Sequence, residues 1–536
     1  MVTPAVTSDP PFSEPEPEIA PVPVRRGRSV VVRVVGAAVA GGLLYASSPP
    51  RNLWWLAPIA FAVLAAVLWR RRARAGFGYG LVFGLAYLLP LLFWLEHFLG
   101  SGFGPWPWLA LSLVEASLIA VATAGMAAVS GLPGAPVWMA AMYVAGDFLR
   151  STFPLNGFPW GRAAFTQPEG PYLALASLGG SALVGFAVVL TGCALAALTR
   201  AGGSRLTALA LVVLPLLAGL LTWPSVGVVA QNGTVTVALV QGNAPDAGLD
   251  LMNEIGVIRA NHIRRTRQLV QDIRANRVPQ PDLVIWPETA TDLGRSAAQD
   301  AELDEVLRSL GVPSLIGARL TNPDGTTSNV TVDWSPTTGR GRVYAKQELV
   351  PFSEYVPIRD AARAFTPFVD GFRDMTPGTR IGFQHVGTVP VGVGICYEVA
   401  YDRVLAEATR AGAQLLVVPT NNAWFGRTEM TEQQLAMSRL RAVEHGRAVL
   451  VTATSGVSAV VMPDGSVTRR TELFDSDVLV AAVPLRSATT LATRLGGWPQ
   501  GTLVAVALAA LLLTGVSALR RGRSAHLAEA TQHSST

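Results

Sequence analysis

Val391-Gly392-Val393-Gly394-Ile395-Cys396-Tyr397-Glu398 is an apolar run that ends abruptly on a thiol, with a carboxylate two residues further on. Short runs rich in Val and Ile read as buried strands. The stretch therefore predicts a strand over 386–395 that delivers Cys396 to its end. The chain has one other cysteine, Cys193, inside an apolar stretch, so it is not a disulfide scaffold. A lone thiol at a strand end in a polar domain is a candidate nucleophile, and a buried structural thiol is the alternative.

Around this strand the chain divides by composition. Of 536 residues, 50% are hydrophobic and only 15% charged, and the apolar ones fill 29–223 and 499–519 while 230–487 is polar. That pattern predicts a membrane protein with one large polar domain. Residues 1–28 are Pro- and Glu-rich and read as a disordered cytoplasmic tail, and 520–536 as a second polar tail. The net charge of +5 does not imply nucleic acid, because the arginines cluster at the ends of apolar stretches.

Candidate spans are 30–47, 52–69, 76–98, 106–128, 135–150, 171–199, 206–223 and 499–519, which makes a bundle of about eight. Arg25, Arg26 and Arg28 precede the first span. Arg70, Arg71, Arg72 and Arg74 follow the second, Arg200 and Arg205 flank the sixth-to-seventh turn, and Arg520, Arg521 and Arg523 follow the last. With eight spans all four clusters share one side, which the positive-inside rule makes the cytoplasm. The polar domain is then expected outside, on a multi-pass protein of the cell membrane. Ionisable residues in the spans are few: Glu96, His97, Glu115, Asp147 and Arg150. Asp147 and Arg150 are spaced to pair on one helix face. Asn156-Gly157-Phe158-Pro159-Trp160 reads as an interfacial or re-entrant loop.

In the polar domain, strands are expected at 234–241, 283–286, 314–319, 329–334, 414–419, 449–454 and 458–462, and helices at 251–276, 402–411 and 430–445. Strands alternating with helices and mixed with hairpins imply a layered α/β fold. The six histidines are scattered without ligand spacing, and no phosphate- or dinucleotide-binding glycine pattern occurs, so neither a metal nor a cofactor is implied. Three polar residues stand at the ends of apolar strands: Glu288 after Trp286-Pro287, Lys346 after Tyr344-Ala345, and Cys396 after Gly394-Ile395. Strand ends are where sites assemble in such domains. A Glu can take the thiol proton, and a Lys ammonium can hold an oxyanion. Singly, Glu288 also reads as a helix cap and Lys346 as a surface charge.

The order Glu, Lys, Cys in these contexts resembles the nitrilase superfamily. The spans and the run Lys346-Gln347-Glu348-Leu349-Val350-Pro351-Phe352-Ser353-Glu354-Tyr355-Val356-Pro357 narrow the resemblance to the apolipoprotein N-acyltransferases. Asn421-Asn422-Ala423-Trp424-Phe425-Gly426 and Arg441-Ala442-Val443-Glu444-His445-Gly446-Arg447 are similar to that family too. The resemblance implies an αββα nitrilase-like domain on the outer membrane face. It implies Cys396 as the nucleophile that takes an acyl chain from a phospholipid, Glu288 as general base and Lys346 as oxyanion holder. Glu354 would orient the Lys and the thiol, and Tyr397, Glu398 and Trp424 would support the site. The acceptor would be the α-amine of a diacylglyceryl-modified lipoprotein, and the enzyme a monomer. The chain departs from the family's pattern at Ala247–Asp250, which offers no Trp, at Asp147, where Glu is commoner, and at His445.

An apolar loop at 352–375, with Ala364, Phe365, Phe368, Val369 and Phe372, reads as a lid dipping into the interface. Two other readings compete. A membrane-tethered amidase would share Glu288, Lys346 and Cys396 but use water as acceptor, and would need only one span. A transporter would carry a polar pathway through its spans, which these lack.

Overall fold

The structure is a computed structural model that describes residues 26–200, 204–246, 254–294, 300–363, 368–371 and 373–533. The expected tail before residue 26, the Trp-less stretch 247–250 and Ala364, Phe365 and Phe372 of the lid lie outside the described residues.

Among the described residues, six helices are long and apolar enough to cross a membrane: Val30–Ser47, Ala73–Leu91, Trp106–Val129, Pro171–Leu198, Arg205–Ser225 and Trp498–Ser517. The expected second and fifth spans are shorter helices, Leu56–Leu68 and Ala135–Arg150. The expected span 76–98 is divided. Its helix stops at Leu91, one residue after Pro90, and a separate helix, Trp94–Phe103, carries Glu96 and His97. The Leu92 N–H still donates to the Leu88 carbonyl at 2.9 Å, so the ladder passes Pro90 before it ends. The last helix continues past the expected span end, from Trp498 to His533, into the polar stretch that follows it. After Gly522 that stretch has no glycine or proline and is rich in Ala, which favours helix regardless of polarity.

The polar domain holds two sheets. The first has the order β13 (Asp477–Pro484), β1 (Thr234–Gln241), β2 (Leu283–Ile285), β4 (Ser314–Thr321), β5 (Thr327–Ser335), β6 (Gly339–Ala345), with β3 (Thr291–Leu293) also paired to β4. The second has the order β12 (Val467–Arg470), β11 (Ala459–Val461), β10 (Val449–Ala453), β9 (Leu415–Thr420), β8 (Val389–Val393), β7 (Phe383–Val386). The central strands β1, β2 and β4 are parallel, as are β8, β9 and β10. Parallel central strands are buried on both faces, which explains their continuous Val, Leu and Ile runs.

The expected single strand over 386–395 is instead the second arm of a hairpin. Val386 pairs with Val389 across Gly387-Thr388, and Gly387 has φ +61°. A two-residue hairpin turn needs a positive φ, which glycine adopts without strain. Helix Ala301–Leu310 and strands β7, β12 and β13 were not legible as elements in the sequence.

The sheets pack face to face through Val237, Leu239 and Ile285 on one side and Val393, Val417 and Leu450 on the other. Helices Ile255–Arg274 and Ala301–Leu310 cover the outer face of the first sheet. The outer face of the second is covered by Asp402–Arg410 and Met430–His445, whose apolar side chains join those of the membrane helices in one continuous core. The fold is therefore an αββα sandwich whose last helical layer is seated on the bundle, Met430–His445 lying against Ala176–Leu198.

Candidate active site

Parallel strands place their carboxyl ends on a common edge. β2 leads to Glu288, β8 to Cys396 and β9 to Thr420, while β6 brings in Lys346 from the sheet margin. The turn at Glu288 needs a close approach to β4: a Cβ on Gly317 would lie 2.0 Å from the Pro287 carbonyl oxygen. Cys396 opens a short 3-10 turn, Cys396–Ala400, with φ +53°. A side chain held there costs about 1–3 kcal/mol, so the surroundings must impose it. They do so at both ends. Glu398 accepts from the Ile395 N–H at 2.7 Å, and Arg441 donates to the Val399 and Ala400 carbonyls at 2.9 and 3.0 Å.

The three strand-end residues converge. Lys346 Nζ lies 3.0 Å from Glu288 Oε1 and 3.0 Å from Glu354 Oε2, all three side chains being buried. Asn329 Nδ2 bridges the same two carboxylates at 2.7 and 2.6 Å, and the Asn421 N–H donates to Glu288 Oε2 at 2.8 Å. Around the sulfur, Thr420 Oγ1 donates to Cys396 Sγ at 3.2 Å and Gln434 Nε2 approaches it at 3.6 Å. Burial pushes the Cys396 thiol up to about 12; the charge and hydrogen bond of Glu288 push the same way, against Lys346 and Thr420. At neutral pH the thiol therefore keeps its proton, and that proton faces Glu288. Burial works against the Lys346 charge, but Glu288 and Glu354 outweigh it and raise its pKa well above the usual lysine range. The ammonium is permanent, as an oxyanion holder requires.

Glu288, Asn329, Lys346, Glu354, Cys396 and Asn421 line one cavity of about 880 Å³. Ile255, Ile258, Trp424 and Phe425 form an apolar part of its wall, and Trp424 and Phe425 pack on Phe98 of helix Trp94–Phe103 at 5.9 and 5.2 Å. The apolar part of the cavity wall thus rests on a helix of the N-terminal half. The expected lid segment supplies Ser353, Glu354, Arg373, Asp374 and Met375 to its wall.

The other named residues are placed differently. Glu398 is wholly buried and accepts from the N–H groups of Ile395, Gln347 and Glu348 and from Tyr344 Oη, which ties the end of the Lys346 strand to the Cys396 turn. Tyr397 is buried away from the cavity, stacked on Phe158 and Trp160. His385 is exposed on β7, and His445 is buried against Thr493, so neither approaches the thiol. Asn329, Thr420 and Gln434 were missed. Thr420 and Asn421 end an apolar strand, so the rule that found Cys396 reaches them too. Nothing local marks Asn329 or Gln434. Among the described residues no cluster of His, Cys, Asp or Glu is arranged to hold a metal ion.

A thiol, a carboxylate and a permanent ammonium at strand ends of an αββα sandwich define the carbon-nitrogen hydrolase class, and residues 236–493 match the carbon-nitrogen hydrolase family. Residues 40–194 match the apolipoprotein N-acyltransferase N-terminal domain. Two relatives align across both parts of the chain. The apolipoprotein N-acyltransferase of Mycolicibacterium smegmatis is 37% identical, over 94% of this chain and 88% of that one. The enzyme of that name from Azotobacter vinelandii is 30% identical, over 90% and 94%. The chain belongs to the apolipoprotein N-acyltransferase family. A solved amidase of the nitrilase superfamily from Nesterenkonia is 18% identical over 50% of this chain and 96% of that one, with a TM-score of 0.35.

Proposed function

We propose that the protein transfers a fatty acyl chain from a membrane phospholipid to the N-terminal amine of diacylglyceryl-modified lipoproteins, through a thioester on Cys396. The observation that carries this reading is the convergence of Glu288, Lys346 and Cys396 on one cavity whose wall residues Trp424 and Phe425 pack on Phe98 of helix Trp94–Phe103. Glu288 takes the thiol proton as the sulfur attacks the ester carbonyl. Lys346 Nζ holds the oxyanion that forms, and Glu354 and Asn329 hold Lys346 and Glu288 in register. When the intermediate collapses, the lysophospholipid alkoxide leaves with the proton from Glu288. In the second half the lipoprotein amine attacks the thioester, gives a proton to Glu288, and the thiol is regenerated with the amide formed.

Residues 29–223 and 499–519 would then hold domain 230–487 at the outer face of the cell membrane, a placement that the arginine clusters support through the positive-inside rule. The segment 352–375 would keep water from the thioester. No cofactor enters the scheme, and one chain contains every group it uses.

The test is the intact mass of purified protein after incubation with phospholipid. The expected result is one hydroxylamine-labile acyl adduct, absent from Cys396→Ala. A folded wild type that forms no adduct with phospholipid would count against phospholipid as the donor and favour the amidase reading over the transferase one.

A further inference from the structure

The five residues Asn156–Trp160 belong to the bundle, and no step above uses them. Yet they touch three elements that carry the site. Asn156 Nδ2 donates to the carboxylate of Glu348, two residues past Lys346. The Gly157 carbonyl accepts from Tyr397 Oη at 3.4 Å and from Tyr401 Oη at 3.1 Å, and the Phe158 and Trp160 rings stack on Tyr397 at 6.0 and 6.4 Å. Tyr397 directly follows Cys396. Trp160 Nε1 donates to Gln433 Oε1 at 2.7 Å, beside Gln434, whose amide faces the sulfur.

The loop is itself held from the bundle. Arg150 Nη1 donates to the Trp160 carbonyl at 2.6 Å, and the Phe158 N–H donates to the Arg150 carbonyl at 2.7 Å. Arg150 is fully buried between Asp147 at 2.9 Å and Glu115 at 3.4 Å, so its guanidinium has one orientation. The turn tolerates only glycine at 157, where φ is +77° and a Cβ would lie 2.1 Å from the Ser151 carbonyl carbon.

We propose that loop 156–160, clamped by Arg150, is a positioning element of the active site, setting the Cys396 turn against the Lys346 strand end. Arg150, Asn156 and Trp160 are positioning residues: none touches a reacting atom, and each acts through Glu348, Tyr397 or Gln433. The proposal rests on the acyl-transfer reading for the identity of the reaction but not for its geometry. It makes the bundle a part of the catalyst rather than an anchor. A misplacement of about 1 Å between reacting groups costs about 10²-fold in rate.

The test uses full-length protein in detergent with three variants. Trp160→Phe keeps the stacking and removes the indole N–H, Asn156→Ala removes the bond to Glu348, and Arg150→Gln releases the loop. Two rates are read on the folded fraction: acyl-adduct formation against phospholipid concentration, and alkylation of Cys396 by iodoacetamide against pH. Expected are falls in the saturated acylation rate of about tenfold for Trp160→Phe and Asn156→Ala and about 10²-fold for Arg150→Gln. The half-saturating phospholipid concentration should hold steady while the alkylation profile moves. Folded variants that acylate and alkylate at wild-type rates would overturn the proposal. If Arg150→Gln does not fold, the other two variants decide. If wild type forms no adduct, the acyl-transfer reading fails, and the alkylation profiles still decide the positioning.

Discussion

The two cysteines of this chain are both buried, and their surroundings could hardly differ more. Cys193 sits in helix Ala176–Leu198, wholly enclosed by apolar neighbours, and among the described residues no hydrogen bond reaches its sulfur. Beside it Gly192 lets the helix approach Leu56–Leu68 so closely that a Cβ would lie 2.5 Å from the Pro58 carbonyl oxygen. Cys396 is as buried, but it stands on a strained turn with Thr420, Gln434, Glu288 and Lys346 around the sulfur. Burial alone therefore does not separate a structural thiol from a reactive one. What separates them is whether the surroundings hold a place for the proton and for the charge that the reaction develops.

Substitutions can break or sharpen that contrast. Cys396→Ala should lower acyl transfer by about 10⁴-fold or more, as loss of a nucleophile does. A variant that still acylates lipoprotein amines at a measurable fraction of the wild-type rate would place the nucleophile elsewhere. Glu288→Gln should cost about 10²–10⁴-fold, the usual contribution of a general base. It should also move alkylation in the opposite direction. Glu288 raises the Cys396 pKa, so its removal lowers that pKa, enlarges the thiolate fraction at pH 8 and speeds iodoacetamide. Slower alkylation in Glu288→Gln would show that the carboxylate does not face the thiol. In wild type the alkylation rate should climb with pH without a plateau through pH 10, because the thiol titrates at about 12.

Lys346→Met should cost about 10²–10³-fold in turnover, as for one oxyanion donor. It should also destabilise the fold by about 3–5 kcal/mol, since Glu288 and Glu354 are left buried without their counter-charge. A thermal melt run beside the kinetics separates the two losses. Thr420→Val removes one hydrogen bond to the sulfur and should cost about 1 kcal/mol, or roughly fivefold in acylation rate. Cys193→Ala is the smallest. Turnover should match wild type while stability falls by about 1 kcal/mol from the vacated volume. A turnover defect there, with the melt unchanged, would end the contrast between the two thiols.

The same contrast governs how much could be read from residues in order. Cys396, Lys346 and Glu288 were legible because each ends an apolar strand, a pattern local in sequence. Tyr397 and Glu398 were legible as neighbours of the thiol but not as to direction. Both lie in the 3-10 turn that follows the strand, and there Tyr397 stacks on the membrane loop while Glu398 accepts from the Ile395 N–H in the core. The hairpin before Cys396 could have been taken from Gly387, which is a local signal.

Hydrophobic patterning, the arginine clusters and the three strand-end residues by themselves determined a membrane bundle, a layered α/β domain and the chemistry available to it. They could do so because burial, strand period and charge placement are properties of short stretches. Only the tertiary structure decided that Asn329 bridges two carboxylates, that Gln434 faces the sulfur, and that a loop of the bundle braces the turn carrying Cys396. Those contacts join residues between 25 and about 240 positions apart. Which distant partners meet is set by how the layers pack, and no local pattern encodes it.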